Sequence, residues 1–390
     1  MMKKTKLGYE DITIVPERVS QIRHRRECFC YDAYLTLPIF AAPMDNVVDI
    51  ESAKILSYNR IYPVIPRTIP LAERIKQILE EQKDRRIFFA FSLTEAQDLF
   101  LKELDGYSHT YYSFAKIRSE LEKENDKSFQ CRICIDIANG HMSELLETIK
   151  SIKEKYGRQV IIMSGNIANP KTYEDYDKAG CDYVRCSIGS GSRCTTSANL
   201  GLHYPVFSLL KEIWEVKEKI GGKCKIIADG GIKGYRDIQK ALIYADYVMI
   251  GSLFNKAIDS AGTPIYGKSY WYIFGKRVLN PFKTLFTYGK QVKAKDYEKV
   301  LTDIKNGKVE VWKEYYGMST KKAQAKINPT AKLKTSEGFV KKQKVEYSIA
   351  QWVENEFDYL RSVMSYTNSK TLNEYKNSKW VINTYRAFND

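Results

Sequence analysis

Lys225-Ile-Ile-Ala-Asp-Gly-Gly-Ile232 and Tyr247-Val-Met-Ile-Gly-Ser-Leu-Phe254 carry the pattern that sets the fold class. Each is a short apolar run that stops at a glycine turn. The runs are continuous rather than alternating, as expected of parallel strands buried on both faces. The same grammar recurs at residues 38–42, 61–65, 87–91, 132–137, 160–164 and 183–187, which with 225–228 and 247–250 makes eight predicted strands. Charged amphipathic stretches lie between them, at 71–83, 143–156, 170–179 and 206–220. In the last, Leu209, Ile213, Val216 and Ile220 recur at helical spacing, so one face can pack on a sheet. Eight alternations of strand and helix predict a closed (β/α)8 TIM barrel, with a doubly wound open sheet as the alternative.

The placement of the unusual residues favours the barrel. The fifth to eighth strands are followed by Gly165-Asn166, Ile188-Gly189-Ser190-Gly191, Asp229-Gly230-Gly231 and Gly251-Ser252. Barrel active sites lie on the loops after the strand C-termini, and phosphate is commonly held after strands seven and eight. Glycines let backbone N–H groups approach an anion without a Cβ in the way. The last two turns therefore read as a phosphate gripper, against the plainer reading of tight connections.

Composition bounds the rest. The chain has 390 residues, 44% hydrophobic and 28% charged, enough for a large core. No run approaches the roughly 18 apolar residues of a membrane span, and Met1-Met-Lys-Lys-Thr-Lys6 is basic with no apolar stretch after it, so a cytoplasmic location is expected. Eight cysteines are too sparse for a disulfide scaffold. Cys28-Phe-Cys30 lacks a second ligand pair among the four histidines, and Cys131-Arg-Ile-Cys134 lies in a strand, so both read as core thiols. The formal charge of +15 suits a polyanionic partner, but lysines scattered beside carboxylates read as a solvated surface.

The most informative loop follows the sixth strand: Ser187-Ile-Gly-Ser-Gly-Ser-Arg-Cys194-Thr-Thr-Ser197. A cysteine in a Gly/Ser-rich loop beside Arg193 favours thiolate, the nucleophilic form. Thr195 and Thr196 add hydroxyls for proton exchange. With the gripper, this suggests covalent attack on a phosphorylated substrate.

The order of motifs resembles the inosine monophosphate dehydrogenase and guanosine monophosphate reductase superfamily. Gly8-Tyr-Glu-Asp-Ile-Thr-Ile-Val-Pro16, Ala41-Ala-Pro-Met-Asp-Asn46, Ile135-Asp-Ile-Ala-Asn-Gly-His141, Gly165-Asn166, the Cys194 loop, Ala228-Asp-Gly-Gly-Ile232, Met249-Ile-Gly-Ser-Leu-Phe254 and Tyr315-Tyr-Gly-Met318 follow in family order. The match spans about residues 8–256 and 312–370. Dehydrogenases of the family usually carry paired CBS modules after the second strand; about twenty residues separate Ile65 from Ile87, so no CBS module is present. The dehydrogenase flap needs an Arg-Tyr pair to activate water, and no arginine lies between Tyr316 and Glu337. Thr335-Ser-Glu-Gly338 and Leu360-Arg-Ser-Val-Met-Ser-Tyr366 look reductase-like, whereas Ala42-Pro43-Met44 leans toward the dehydrogenases.

The resemblance implies an NADPH-dependent reductive deamination of GMP to IMP and ammonia, with an NAD-dependent IMP dehydrogenase as the alternative. Cys194 would attack purine C2, and Thr196 and Glu337 map onto the proton-transfer pair. An exocyclic amine leaves poorly unless protonated, so a positioned relay is needed. Asp229 would take the ribose hydroxyls; Ser192, Gly231, Gly251 and Ser252 the phosphate, assisted by Tyr315. Met44, Gly317 and Met318 would frame the base, and Asp136 and Asn166 would serve the cofactor side. The carbonyls of Gly189, Gly191 and Cys194 resemble a potassium site whose use varies between members, and the members look like homotetramers.

The chain reads as one barrel domain over 1–390, with a family-atypical insertion at 257–310 and an active-site flap at 315–345. Ser190 and Ser197 depart from the family's usual Pro and Arg, and the two prolines of Ile61-Tyr-Pro-Val-Ile-Pro66 predict an irregular strand. The insertion holds Tyr270-Trp-Tyr-Ile-Phe274, an aromatic run that argues for order. Between Lys321 and Lys344 lie eight lysines, a charge that could draw the 2′-phosphate of NADPH or simply face water. Two other classes stay open: a non-catalytic purine-nucleotide or nucleic-acid-binding barrel, against which Cys194, Thr196 and Glu337 together speak, and a flavin-phosphate barrel, which would leave the Cys-Thr-Thr loop unexplained.

Overall fold

The computed structural model describes residues 5–81, 84–102, 114, 130–189, 200–273, 276–279, 296–327 and 338–383. Strand β1 (Ile12–Ile14) precedes eight strands: β2 (Ile39–Ala41), β3 (Tyr62–Ile65), β4 (Phe88–Phe91), β5 (Cys131–Asp136), β6 (Val160–Ile167), β7 (Tyr183–Cys186), β8 (Lys225–Asp229) and β9 (Tyr247–Ile250). These close on themselves in sequence order, all parallel, with β2 paired to both β3 and β9. The (β/α)8 barrel expected from the alternation is thus the observed fold, and the open sheet is excluded.

The helices Ser143–Tyr156 and Val206–Ile220 occupy their predicted spans. Leu71–Glu80 stops short of the expected 83, and Thr172–Lys178 lies within the expected 170–179. In Val206–Ile220 the buried Leu209 and Ile213 lie on the face that packs inward, and Gly221 ends the helix at φ 65°, which suits a residue without a Cβ. The prolines of the second barrel strand do not interrupt it. Pro63 lies in register with Ala41 near the start of β3, and Pro66 falls just past its end.

One strand runs longer than expected. Gly165 and Asn166 are part of β6 rather than a turn after it, with a register shift between Gly165 and Ile167. A Cβ on Gly165 would lie 2.5 Å from the Arg185 carbonyl, and its φ is +136°. This glycine serves a close approach to β7, a demand that looks identical to a turn in sequence.

The barrel interior is apolar where the strands begin. Phe40, Tyr62, Phe88, Tyr183 and Tyr247 pack with ring centroids 4.8–6.3 Å apart, mostly edge to face. Such pairs add about 0.5–1.5 kcal/mol beyond area burial. Asp32, in the loop before β2, accepts hydrogen bonds from the hydroxyls of Tyr247 (3.0 Å) and Tyr62. At the same end a repeated device ties strand to helix. Asp182 accepts from the Ile162 amide and from Lys153; Asp246 accepts from the Ile226 amide and from Lys217.

Beyond the barrel, β10 (Ile265–Ile273), β11 (Lys276–Leu279), β12 (Val309–Tyr315) and β13 (Lys341–Lys344) form an antiparallel sheet in the order β11-β10-β12-β13. The stretches expected as insertion and flap therefore contribute strands to one sheet. Ile258, Leu301, Val311 and Val345 give it a core of its own. Lys313, fully buried on β12, donates to the carbonyls of Ala257 (2.7 Å), Ile258 (3.1 Å) and Ser260 (2.7 Å) and so anchors the sheet to the chain leaving β9. Burial pulls its pKa down to about 7. The final strand, β14 (Trp380–Ile382), returns to pair with β1.

Candidate active site at the C-terminal mouth of the barrel

Three strands aim polar side chains into the mouth where the strands end. Arg185 of β7, 8% exposed, lies between the carboxylates that close β5 and β8. Its Nη1 donates to Asp136 Oδ1 at 2.7 Å, its Nε to Asp229 Oδ2 at 2.9 Å, and its Nη2 lies 2.8 Å from the same oxygen. Arg67, just after β3, brings its Nε to 3.4 Å from Asp136 Oδ2. Asn166 Nδ2 donates to Asp229 Oδ2 at 2.7 Å and to the Ser187 carbonyl at 3.0 Å.

The electrostatics follow from this spacing. Burial acts to raise the Asp136 pKa, but Arg185 and Arg67 more than offset it, and the carboxyl stays below its usual range. Burial acts against the Arg185 charge, and Asp229 and Asp136 overturn that, holding the guanidinium protonated. Two charges of each sign thus balance, Arg185 and Asp136 buried and Arg67 and Asp229 partly exposed, and the fork of Arg185 fixes the separation of the two carboxylates. Asp229 Oδ1 accepts no hydrogen bond among the described residues, which leaves one face of that carboxylate for a ligand.

The turns after β8 and β9 use backbone and close approaches that suit glycine. Gly230 and Gly231 adopt φ of 108° and 76° after β8. A Cβ on Gly251 would lie 2.8 Å from Tyr315 Oη and 3.1 Å from Met44 Sδ, and those two atoms are 4.0 Å apart. Met44, Gly251 and Tyr315 therefore converge, although they come from the loop after β2, the loop after β9 and the end of β12. Ser252 opens the short helix Ser252–Asn255 beside them. Gly317 and Met318 continue from Tyr315, and the Gly317 carbonyl accepts from Thr320 Oγ1 at 2.8 Å.

Beyond β7, Ser187 and Gly189 take φ of 129° and 77°. Ser187 Oγ is buried with no hydrogen-bond partner among the described residues. Gly191, Ser192, Cys194 and Thr196 lie outside the described residues, as does Glu337. Cys30, Cys131 and Cys134 are buried, and burial pushes each thiol up to about 12, which leaves them inert.

Sequence reading missed Arg185 and Arg67. The signal for Arg185 was present: an arginine inside the otherwise apolar Tyr183-Val-Arg-Cys186 needs buried anions opposite it. The flap lysines divide. Lys322 pairs with Glu314, Lys326 with Asp45 and Lys344 with Glu310, so these charges are partly answered within the chain.

A closed parallel barrel with polar side chains and glycine turns converging at its C-terminal mouth has the architecture in which barrel enzymes place their active sites. The comparisons narrow the class. The family model described as IMP dehydrogenase / GMP reductase domain matches residues 6–389. The chain belongs to that family and is an oxidoreductase. It is similar to the GMP reductase of Onchocerca volvulus, 26% identical over 380 residues, covering 95% of this chain and 88% of that one. The GMP reductase of Shewanella pealeana is 31% identical over 266 residues, 66% of this chain and 71% of its own. That of Clostridium acetobutylicum is 31% identical over 274 residues, 68% and 76% respectively. Among the described residues no helix is long and apolar enough to cross a membrane.

Proposed function

We propose that the chain is a GMP reductase: GMP, NADPH and two protons give IMP, NADP⁺ and ammonium. What carries this reading over an IMP dehydrogenase is the flap sequence, which has no arginine between Tyr316 and Glu337 to activate water and presents Ser336-Glu337-Gly338 instead. The family's curated relatives named above are all called GMP reductase, which supports the same choice.

In this reading the 5′-phosphate is held by Ser192, Gly231, Gly251 and Ser252, with Tyr315 assisting. Asp229 takes the ribose hydroxyls through the carboxylate face that Arg185 and Asn166 leave free. Met44, Gly317 and Met318 frame the purine. Cys194 adds to C2, and Thr196 with Glu337 delivers the proton that lets the exocyclic amine leave. The return of the thiolate as leaving group completes the exchange.

The residues on the cofactor side suit a nicotinamide. Asp136 is held ionised as an acceptor for amide N–H groups, and the Ser187 hydroxyl, buried and without a partner among the described residues, lies at the same mouth. Asn166 orients both Asp229 and the Ser187 backbone. When bound, NADPH supplies the hydride. Gly189, Gly191 and Cys194 would offer carbonyls to potassium. A homotetramer working in the cytoplasm completes the proposal.

The test is a paired absorbance assay at 340 nm on the purified full chain. Consumption of NADPH with GMP, absent in Cys194→Ala, is the expected result. Formation of NADH from IMP and NAD⁺ instead would replace the reductase with the dehydrogenase.

A further inference from the structure

A cavity of about 690 Å³ lies between the barrel and the added sheet, and none of the residues assigned above to substrate or cofactor lines it. Its walls carry five carboxylates: Asp45 after β2, Asp49 and Glu51 at the start of the helix Ile50–Tyr58, Asp259 beyond β9 and Glu314 of β12. Two ammonium groups line it as well, and both are taken. Lys326 pairs with Asp45, and Lys322 pairs with Glu314. Asp259 Oδ1 accepts from the Ile349 amide at 2.8 Å. Lys313, the charge behind Asp259, directs its donors to the carbonyls of Ala257, Ile258 and Ser260. Asp49, Glu51 and Asp259 have no ion pair among the described residues. A chain of formal charge +15 thus encloses a pocket of the opposite sign.

The buried polar atoms of the lining want donors. Asn46 is 2% exposed, and its Nδ2 donates to the Tyr316 carbonyl at 2.8 Å. That bond fixes the amide's orientation and leaves Oδ1 buried with no donor among the described residues. Asp45 Oδ2 accepts from Lys326 and from the Tyr316 hydroxyl, while its Oδ1 is buried and equally unanswered. A buried acceptor without a donor costs free energy that a ligand N–H group recovers.

Three ligand chemistries compete for this space. Among the described residues no three acidic, histidine or cysteine side chains stand close enough to share one metal ion. An anion fares worse, because both lysines are paired and the helix start is already capped by Asp49 on the Ser52 amide at 2.8 Å. An extended cation fits both the dispersed carboxylates and the apolar surface of Ile55, Ile258, Ile265 and Tyr297 between them. The volume lies in the range of small-molecule sites. We propose that this cavity binds a linear aliphatic polyamine, whose ammonium groups meet Glu51 and Asp259 and donate to Asp45 and Asn46. The inference does not depend on the reductase reading.

The experiment is calorimetric titration of the full chain at low salt, with spermidine, magnesium chloride and sodium phosphate as separate probes. Spermidine should saturate one site per chain and raise the unfolding temperature. Glu51→Gln and Asp259→Asn should each weaken its binding about fivefold; the asparagine keeps an acceptor for the Ile349 amide. Thr263→Lys, which hangs a competing ammonium from an exposed position of the lining, should abolish it. Glu73→Gln makes the same charge change on the helix Leu71–Glu80, outside the cavity, and should leave Kd unchanged. Glu51 and Thr263 are exposed, so those variants should unfold at the native temperature when spermidine is absent. No saturable heat would mean that water and counterions alone occupy the space, and would overturn the proposal. Equal weakening in Glu73→Gln, equal affinity for magnesium, or phosphate binding that Thr263→Lys strengthens would overturn it as well.

Discussion

The two ends of the barrel are built from opposite chemistries on the same strands. Where the strands begin, Phe40, Tyr62, Phe88, Tyr183 and Tyr247 fill the interior with rings, and Asp32 answers two of the phenols. Where they end, the interior holds Arg185, Asp136 and Asp229, flanked by Asn166 and glycine turns. Apolar packing contributes stability in proportion to area and needs no partner beyond shape. A buried ion network largely offsets its own desolvation, so Arg185, Asp136 and Asp229 add less stability than the rings do. One end holds the fold, and the other is free to be spent on recognition.

The strongest way to break that contrast is Arg185→Met. It leaves the buried Asp136 with Arg67 alone and the partly buried Asp229 with Asn166 alone, which should cost about 3–5 kcal/mol of stability. Turnover should fall below detection, read by urea denaturation and the 340 nm assay on the same sample. Arg185→Lys sharpens the point: it keeps the charge but loses the fork, and should recover stability better than rate.

At the other end, Phe40→Ala should cost a comparable 3–5 kcal/mol, roughly the range for large-to-small core changes. Below its unfolding transition, kcat and KM should stay at native values. A large change in KM there would show that the two ends are coupled.

The strand-to-helix device at Asp246 gives a pH signature. Burial acts to raise its pKa, but Lys376 and Lys217, with the Ile226 amide, hold it down to about 2. A depressed folded pKa contributes stability that is complete above the ordinary carboxylate range and is lost as pH falls from about 4 towards 2. Asp246→Asn should therefore cost about 2 kcal/mol at pH 7 and flatten that acid limb, as followed by denaturation at several pH values.

The smallest expected effect lies in the cradle. Gly251→Ala would press a methyl against Tyr315 Oη and Met44 Sδ, and should raise KM for GMP about tenfold, or ~1.4 kcal/mol, with little loss of stability. An unchanged KM would remove Gly251 from the phosphate site.

The eight strands were legible because hydrophobic runs and their periods are local properties of the chain. The helices Ser143–Tyr156 and Val206–Ile220 were readable to the residue for the same reason. Gly165 was visible as a glycine but not as a strand residue, because the Arg185 backbone it must clear belongs to another strand. The insertion's aromatic run was read as ordered, yet its pairing with the flap in one sheet depends on the register between β10 and β12. The convergence of Met44, Gly251 and Tyr315 was implied by family resemblance alone; no spacing in the chain relates them.

Sequence by itself determined the eight barrel strands, the spans of two long helices and the family, since each is written in adjacent residues or in the order of short motifs. Tertiary structure decided that the strands close into a ring, that Arg185 lies between Asp136 and Asp229, and that Lys326 reaches Asp45. These depend on register and on contacts between residues far apart in the chain, where a single-residue shift of one strand would turn every side chain to the opposite face.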